Sequence, residues 1–205
     1  MTYKDEIGRI IKNDRKKSRG YATFFESPND KPIGEVLVTY CLFRHLSKTE
    51  QLPLIVPIAS QSDPPDVWAE MPDGSKVGVE VTELVDSAAI ERSRARRKDK
   101  TQPPLIGEWT PESVRDKLLQ IINAKVCKCK NAKIGFEQLW LIIYTDEELI
   151  DYHVAKWVVE KIPTLSVENF DRIFFLLSYH PSADKDLFPD GCPILEIEFP
   201  KTEPL

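Results

Sequence analysis

Cysteine and histidine are scarce in this chain of 205 residues, which contains four cysteines and three histidines. The cysteines are scattered, and a disulfide scaffold is not expected in a chain of this size. A zinc site would need two cysteine pairs or nearby histidines, whereas Cys127 and Cys129 stand far from every histidine. The dispersed histidines also give no local support to triad chemistry. These scarcities argue against disulfide-rich, zinc-dependent and triad-based classes of protein.

Long apolar runs and glycine-rich loops are missing as well. No run approaches the roughly 18–20 apolar residues that a membrane helix needs, and the segment 1–6 does not resemble a signal peptide. Neither a phosphate-cradling glycine motif nor a Gly-x-Ser-x-Gly elbow occurs. We therefore expect a cytoplasmic protein without a membrane partner. A small-molecule enzyme on a generic α/β sheet ranks last among the function classes.

Charge is distributed unevenly along the chain. The net charge of −5 does not suggest a general polyanion binder. However, basic residues cluster between Arg9 and Arg19, between Arg92 and Lys100, and between Lys125 and Lys133. Any one cluster is explained by a solvated face. Three clusters in an acidic protein favour local contacts with phosphate groups.

Apolar periodicity predicts an alternation of helices and strands. Helices are expected at 3–18, 33–48, 111–129 and 146–161, and strands at 53–58, 66–71, 76–82, 138–144, 172–179 and 193–199. Thr110 is a good N-cap ahead of Pro111, and the apolar run 138–144 is typical of a strand covered on both faces. No repeat or linker interrupts the chain. The order of elements predicts one α/β domain, with three layers and a central mixed sheet flanked by helices.

The most informative segment is Ser62-Asp63-Pro64-Pro65-Asp66, which precedes a valine-rich strand across a turn at 72–75. A hairpin of this kind would bring Asp66 and Glu80 together, and paired carboxylates hold divalent metal ions. Alternation along the second strand places its valines on one face and Glu80 on the other. Alternatively, Asp66 is an ordinary turn residue and Glu80 lies on a solvent-exposed face of the sheet, and the two residues form no binding site.

The helix after Pro111 supplies a cation. Its apolar stripe includes Val114, Leu118 and Ile122, and the next position on that face is Lys125, with Lys128 one turn further at the edge. Such a lysine commonly extends along apolar surface towards water. Alternatively, its ammonium lies over the sheet beside the carboxylates, where it could orient a water or stabilise charge on a phosphate.

Together, Pro65-Asp66, the hairpin and Glu80-x-Thr82 resemble the PD-(D/E)xK nuclease superfamily, also called restriction-endonuclease-like. The resemblance covers about 32–180 as the core, leaving 1–31 as a helical extension and 181–205 as a C-terminal strand. It implies that Asp66 and Glu80 bind Mg²⁺ or Mn²⁺, helped by the backbone carbonyl of Val81. Glu35 matches an acid that the family places on the preceding helix.

One departure from the family pattern stands out. The family lysine belongs two residues after the glutamate, where this chain has Thr82. Some branches carry the lysine on the following helix instead, and Lys125 fits that position. The resemblance then implies metal-assisted hydrolysis of phosphodiester bonds, with Lys125 positioning the nucleophile.

The resemblance also implies a nucleic-acid partner, DNA in preference to RNA, and allows a homodimer. Basic residues that could follow the phosphate backbone are Arg92, Arg94, Arg96, Arg97, Lys98 and Lys128. Thr82 and the acidic net charge support an alternative, in which the fold is catalytically inactive and acts as a nucleic-acid-binding or scaffold module.

Overall fold

The structure is a computed structural model, and it describes residues 31–61, 63–86, 109–130, 132, 134–147, 149–163, 167–178, 188 and 191–200. The helix predicted at 3–18 and the basic residues between Arg92 and Lys100 lie outside these ranges. Among the helices of the described ranges, none is both long enough and apolar enough to cross a membrane.

The described residues form an α/β fold with three helices and a six-stranded mixed sheet. The helices are α1 (Lys31–Thr49), α2 (Pro111–Lys128) and α3 (Tyr152–Glu160). The strands are β1 (Ile58–Ala59), β2 (Val67–Glu70), β3 (Lys76–Glu83), β4 (Gln138–Thr145), β5 (Arg172–Leu177) and β6 (Ile194–Glu196). The strands lie side by side in chain order. The pairs β3–β4 and β4–β5 are parallel, and the other pairs are antiparallel.

Most predicted elements are confirmed, with differences at their ends. The first predicted strand, at 53–58, overlaps the two-residue strand β1 (Ile58–Ala59) only at Ile58, so its predicted bounds are wrong; prolines interrupt the run before that point. The third described helix begins at Tyr152, capped by Asp151, so the start predicted at 146 is wrong. The reason is the cap: Asp151 accepts a hydrogen bond from the backbone N–H of Val154, which fixes the first turn of the helix after this residue. Glu147 lies in the loop before it, where its carboxylate accepts a hydrogen bond from the backbone N–H of Asp86.

Two hydrophobic cores cover the two faces of the sheet. Residues Leu139, Leu141 and Ile143 of β4 pack with residues of α2 and α3. The intervening residues, Trp140, Ile142 and Tyr144, pack with α1. The prediction that β4 is buried on both faces is therefore confirmed.

The alternation in β3 is confirmed in the same way. Val77, Val79 and Val81 belong to the core on the α1 face. Glu80 therefore projects towards the opposite face, which is covered by α2. This alternation positions the candidate site.

Candidate metal centre

Asp66 is fixed at the point where the chain enters β2. The residue is 8% exposed, and its Oδ2 accepts a hydrogen bond of 2.9 Å from the backbone N–H of Val81. The preceding Pro65 packs over Gly78, where an added Cβ would lie 3.0 Å from the Pro65 ring. The absence of a side chain at Gly78 therefore allows the close approach that brings Asp66 to β3.

The Val81 backbone points to the same side as Asp66. The N–H of Leu84 bonds to Tyr144 of β4, so even-numbered residues of β3 direct their backbone groups to β4. Val81 directs its N–H the other way. Because the N–H and C=O of one strand residue face the same side, the Val81 carbonyl also faces the Asp66 side of β3.

Glu80 is the most deeply buried acid of the site, with no solvent exposure. Its Oε1 accepts a hydrogen bond of 2.6 Å from the Lys125 ammonium and another of 3.2 Å from Lys128. Its Oε2 is buried and has no hydrogen-bond partner among the described residues. A buried carboxylate oxygen without a partner is unfavourable, and a bound cation would satisfy it.

Helix α2 carries both lysines to this point. Thr110 and Ser113 form a reciprocal capping box at its start, and Val114, Leu118 and Ile122 are fully buried against the sheet. Lys125 and Lys128 continue that face towards the helix end. The Lys125 side chain is 18% exposed and that of Lys128 is 45% exposed.

Asp63 also belongs to the site, although it was not among the site residues predicted from the sequence. Its Oδ1 lies 2.8 Å from the Lys128 ammonium, and this hydrogen bond holds the pKa of Asp63 below its ordinary value. Asp63, Asp66 and Glu80 each offer an oxygen atom within 4.8 Å of the others. We call these three residues the acidic triad. The available signal was the position of Asp63 in the same proline-rich segment as Asp66.

Glu35 and Lys31 approach Asp66 from α1. The Lys31 ammonium lies 2.9 Å from Glu35 Oε1 and 3.6 Å from Asp66 Oδ1. Glu35 is 4% exposed, and burial raises its pKa to about 7, with the charge of Asp66 adding to the effect and Lys31 opposing it. Lys31 was not among the predicted site residues, because nothing in the periodicity of α1 distinguishes it.

Both of the more exposed ammonium groups stay protonated at neutral pH. Burial alone would lower the pKa of Lys128, but its hydrogen bond to Asp63 and the charge of Glu80 outweigh this effect and raise the pKa above its ordinary value. The pKa of Lys31 is raised for the same reason by Glu35 and Asp66. The site therefore gathers four carboxyl groups and three ammonium groups, from Glu35, Asp63, Asp66, Glu80, Lys31, Lys125 and Lys128.

The chemistry of these groups suits a hard divalent cation. Carboxylate and carbonyl oxygens are the ligands of Mg²⁺ and Mn²⁺, and the acidic triad supplies three carboxylates at mutual ligand distances. The neighbouring Cys129 is buried, and burial together with the charge of Glu80 raises its pKa to about 11. Among the described residues, the acidic triad contains neither a thiol nor an imidazole, which are the ligands that protein zinc sites most often use.

The structure thus brings together most of the residues selected from the sequence. Asp66, Glu80, Lys125 and Glu35 converge as expected, and the predicted proximity of the Asp66 and Glu80 carboxylates is confirmed. Lys128 was assigned to nucleic acid, and the structure places its ammonium on Asp63 and Glu80. The other five basic residues of that assignment, between Arg92 and Lys98, lie outside the described residues.

No family model, curated protein or solved structure matches this chain. The functional interpretation therefore depends on the chemistry of the acidic triad and its lysines.

Proposed function

We propose that this protein is a metal-dependent nuclease that hydrolyses phosphodiester bonds, a divergent relative of the PD-(D/E)xK superfamily with a three-layer core. The observation that carries the proposal is the ammonium of Lys125, 2.6 Å from Glu80 beside two further carboxylates. A buried carboxylate group with one orphaned oxygen and a fixed ammonium is the arrangement that metal-assisted phosphoryl chemistry uses.

Mg²⁺ or Mn²⁺ would be held by Asp66, Glu80 and Asp63, with the Val81 carbonyl facing the same side of β3. When bound, such a cation polarises a phosphate oxygen and lowers the pKa of a coordinated water. The Asp66 carboxylate is oriented for this role by the Val81 N–H. The network of hydrogen bonds limits its rotation without any contribution from substrate.

Lys125 supplies the positive charge that Thr82 cannot. Its amine is held by Glu80 in a largely buried position, so it can donate a hydrogen bond to an attacking water or to a phosphate oxygen without a large reorganisation. Glu35, with a pKa raised to about 7 by burial, can hold or release a proton near neutral pH.

The proposal is tested by cleavage of a panel of single-stranded and duplex DNA and RNA with Mg²⁺, Mn²⁺ or EDTA. We expect metal-dependent cleavage, favouring DNA, that is lost in Asp66→Asn and in Glu80→Gln. Glu70→Gln is the matched control, since Glu70 lies exposed at the end of β2 in the same hairpin. Cleavage that survives both substitutions in the triad would assign the activity to another site or to a contaminant.

The alternative function is a nuclease fold that binds nucleic acid without cleaving it. It is favoured by Thr82, which replaces the family lysine, and by the ammonium groups that already neutralise the triad. Retained binding of DNA by the double variant Asp66→Asn/Glu80→Gln, together with no cleavage by the wild type, would support it. Light scattering of the same samples tests the proposed homodimer.

A further inference from the structure

Lys128 occupies a position that a divalent cation would compete for. It is the last residue of α2, and its ammonium lies 2.8 Å from Asp63 Oδ1 and 3.2 Å from Glu80 Oε1. Two of the three carboxylates of the acidic triad are therefore bridged by one lysine. The ammonium neutralises charge that would otherwise repel within the triad.

The two lysines of α2 are held very differently. Lys125 is 18% exposed and bonds at 2.6 Å to a fully buried oxygen. Lys128 is 45% exposed, and its closest partner, Asp63, has a side chain that is 60% exposed. The Lys128–Asp63 pair is solvent-exposed and contributes little, and the contact of Lys128 with the buried Glu80 is longer, at 3.2 Å, than that of Lys125. Lys128 can therefore leave the triad more readily than Lys125.

We propose that Lys128 is an exchangeable cation of the metal centre. It neutralises the triad in the metal-free protein, leaves Asp63 and Glu80 when a divalent cation binds, and then contacts a phosphate of the substrate. This inference rests on the proposed function, and it predicts that metal and phosphodiester bind with positive coupling.

Electrostatic repulsion by the bound cation and the length of the Lys128 side chain account for the exchange. A divalent cation among the three carboxylates repels an ammonium at ionic-pair distance, and the outer part of the Lys128 side chain already faces solvent. A lysine ammonium is a flexible point charge with three donors, well suited to a phosphate oxygen. Asp63 is then released from the lysine and becomes available to the metal.

The experiment measures Mn²⁺ affinity by calorimetry for the wild type, Lys128→Met and Lys130→Met. Lys130 is the matched control, because it is exposed, lies two residues away and makes no ion pair with a described residue. Removal of a competing ammonium should tighten Mn²⁺ binding by up to about fivefold in Lys128→Met, which corresponds to the upper end of the range for an exposed ion pair. Lys130→Met should change the affinity by less than about twofold.

The second measurement is fluorescence anisotropy of a labelled DNA duplex with hydrolysis-resistant phosphorothioate linkages, with Mn²⁺ or EDTA. In the wild type and in Lys130→Met, Mn²⁺ should tighten duplex binding. In Lys128→Met this coupling should be strongly reduced, since no ammonium is transferred to phosphate. By reciprocity, the duplex should raise the affinity for Mn²⁺ by the same factor as Mn²⁺ raises that for the duplex.

Equal or weaker Mn²⁺ binding in Lys128→Met than in Lys130→Met would overturn the exchange while leaving the metal centre in place. Undiminished coupling in Lys128→Met would also overturn it. If the wild type binds no Mn²⁺, both the exchange and the proposed function fail. Exchange without cleavage of unmodified DNA would retain Lys128 as an exchangeable cation and contradict only the nuclease activity.

Discussion

Lys125→Met should destabilise the metal-free protein because it leaves the Glu80 carboxylate buried with a weaker partner. Glu80 has no solvent exposure, and its shortest contact is the Lys125 ammonium at 2.6 Å. Removal of one partner from a buried ion pair costs about 3–5 kcal/mol. Lys128 remains at 3.2 Å and water can reach the cleared space, so we expect about 2–3 kcal/mol.

The assay is urea unfolding in EDTA, followed by circular dichroism. With a slope of about 2 kcal/mol/M, the midpoint should fall by roughly 1–1.5 M in Lys125→Met. The double variant Glu80→Gln/Lys125→Met should recover most of this loss, because the buried charge is removed together with its partner. Lys117→Met, on the same helix and away from the triad, should shift the midpoint by less than about 0.3 M.

Divalent metal provides an independent check of the same reasoning. Saturating Mn²⁺ stabilises any protein that binds it in the native state, by about 2.7 kcal/mol at a hundredfold excess over Kd. The gain should be larger in Lys125→Met than in the wild type if Mn²⁺ replaces the missing charge beside Glu80. If Lys125→Met unfolds at the same urea concentration as Lys117→Met, the ion pair between Lys125 and Glu80 does not stabilise the fold.

Three further predictions concern other parts of the site and a remote control. In EDTA, the free energy of unfolding should fall as pH rises from about 4.5 to about 7, since the raised pKa of Glu35 makes the folded state bind its proton more tightly than the unfolded state. The free energy of unfolding should fall by on the order of 2 kcal/mol over this pH range. In Glu35→Gln, the free energy of unfolding measured with urea should depend much less on pH. The same pH dependence in this variant would show that Glu35 is not the titrating group. Gly78→Ala should destabilise the protein by about 1–3 kcal/mol, because the added Cβ would lie 3.0 Å from the Pro65 ring. The same substitution should weaken Mn²⁺ binding in calorimetry. Wild-type Mn²⁺ affinity in this variant would show that the contact of Pro65 with Gly78 does not position Asp66. Arg172→Met removes partly exposed ion pairs to Glu50, which follows α1, and to Glu196 of β6, so we expect a loss of about 1 kcal/mol with unchanged Mn²⁺ affinity. Weakened Mn²⁺ binding would indicate a general structural effect.

The proposed metal centre consists of the same side chains as the ion-pair network. Without metal, lysines donate hydrogen bonds to Glu80 Oε1 and Asp63 Oδ1, and the site is a charged cluster that joins α2 to β3. The orphaned Glu80 Oε2 shows that the hydrogen bonding of the triad is incomplete. A cation that enters the triad would complete it, which is why metal affinity and stability are measured on the same variants.

Alternation and periodicity determined much of this arrangement. The valines of β3 specify one buried face, so Glu80 must occupy the other, because successive strand residues point to opposite sides. The stripe of α2 repeats along one face of a helix, so Lys125 must continue towards whatever that face covers. These constraints are local and depend only on residue order, and together with the order of elements they predicted the mixed sheet and the meeting of Asp66, Glu80 and Lys125.

Only the tertiary structure decided the rest of the site. Asp63 lies within 4.8 Å of Asp66 and Glu80, and Lys128 reaches Asp63 across 65 positions of sequence. Lys31, the first residue of α1, lies 3.6 Å from Asp66, although α1 packs on the face of the sheet opposite α2. Such contacts depend on the course of loops and on the ends of long side chains, whose positions are set by packing and charge in three dimensions. Sequence periodicity fixes the face on which a residue lies, whereas the folded chain determines which groups from different elements come within bonding distance.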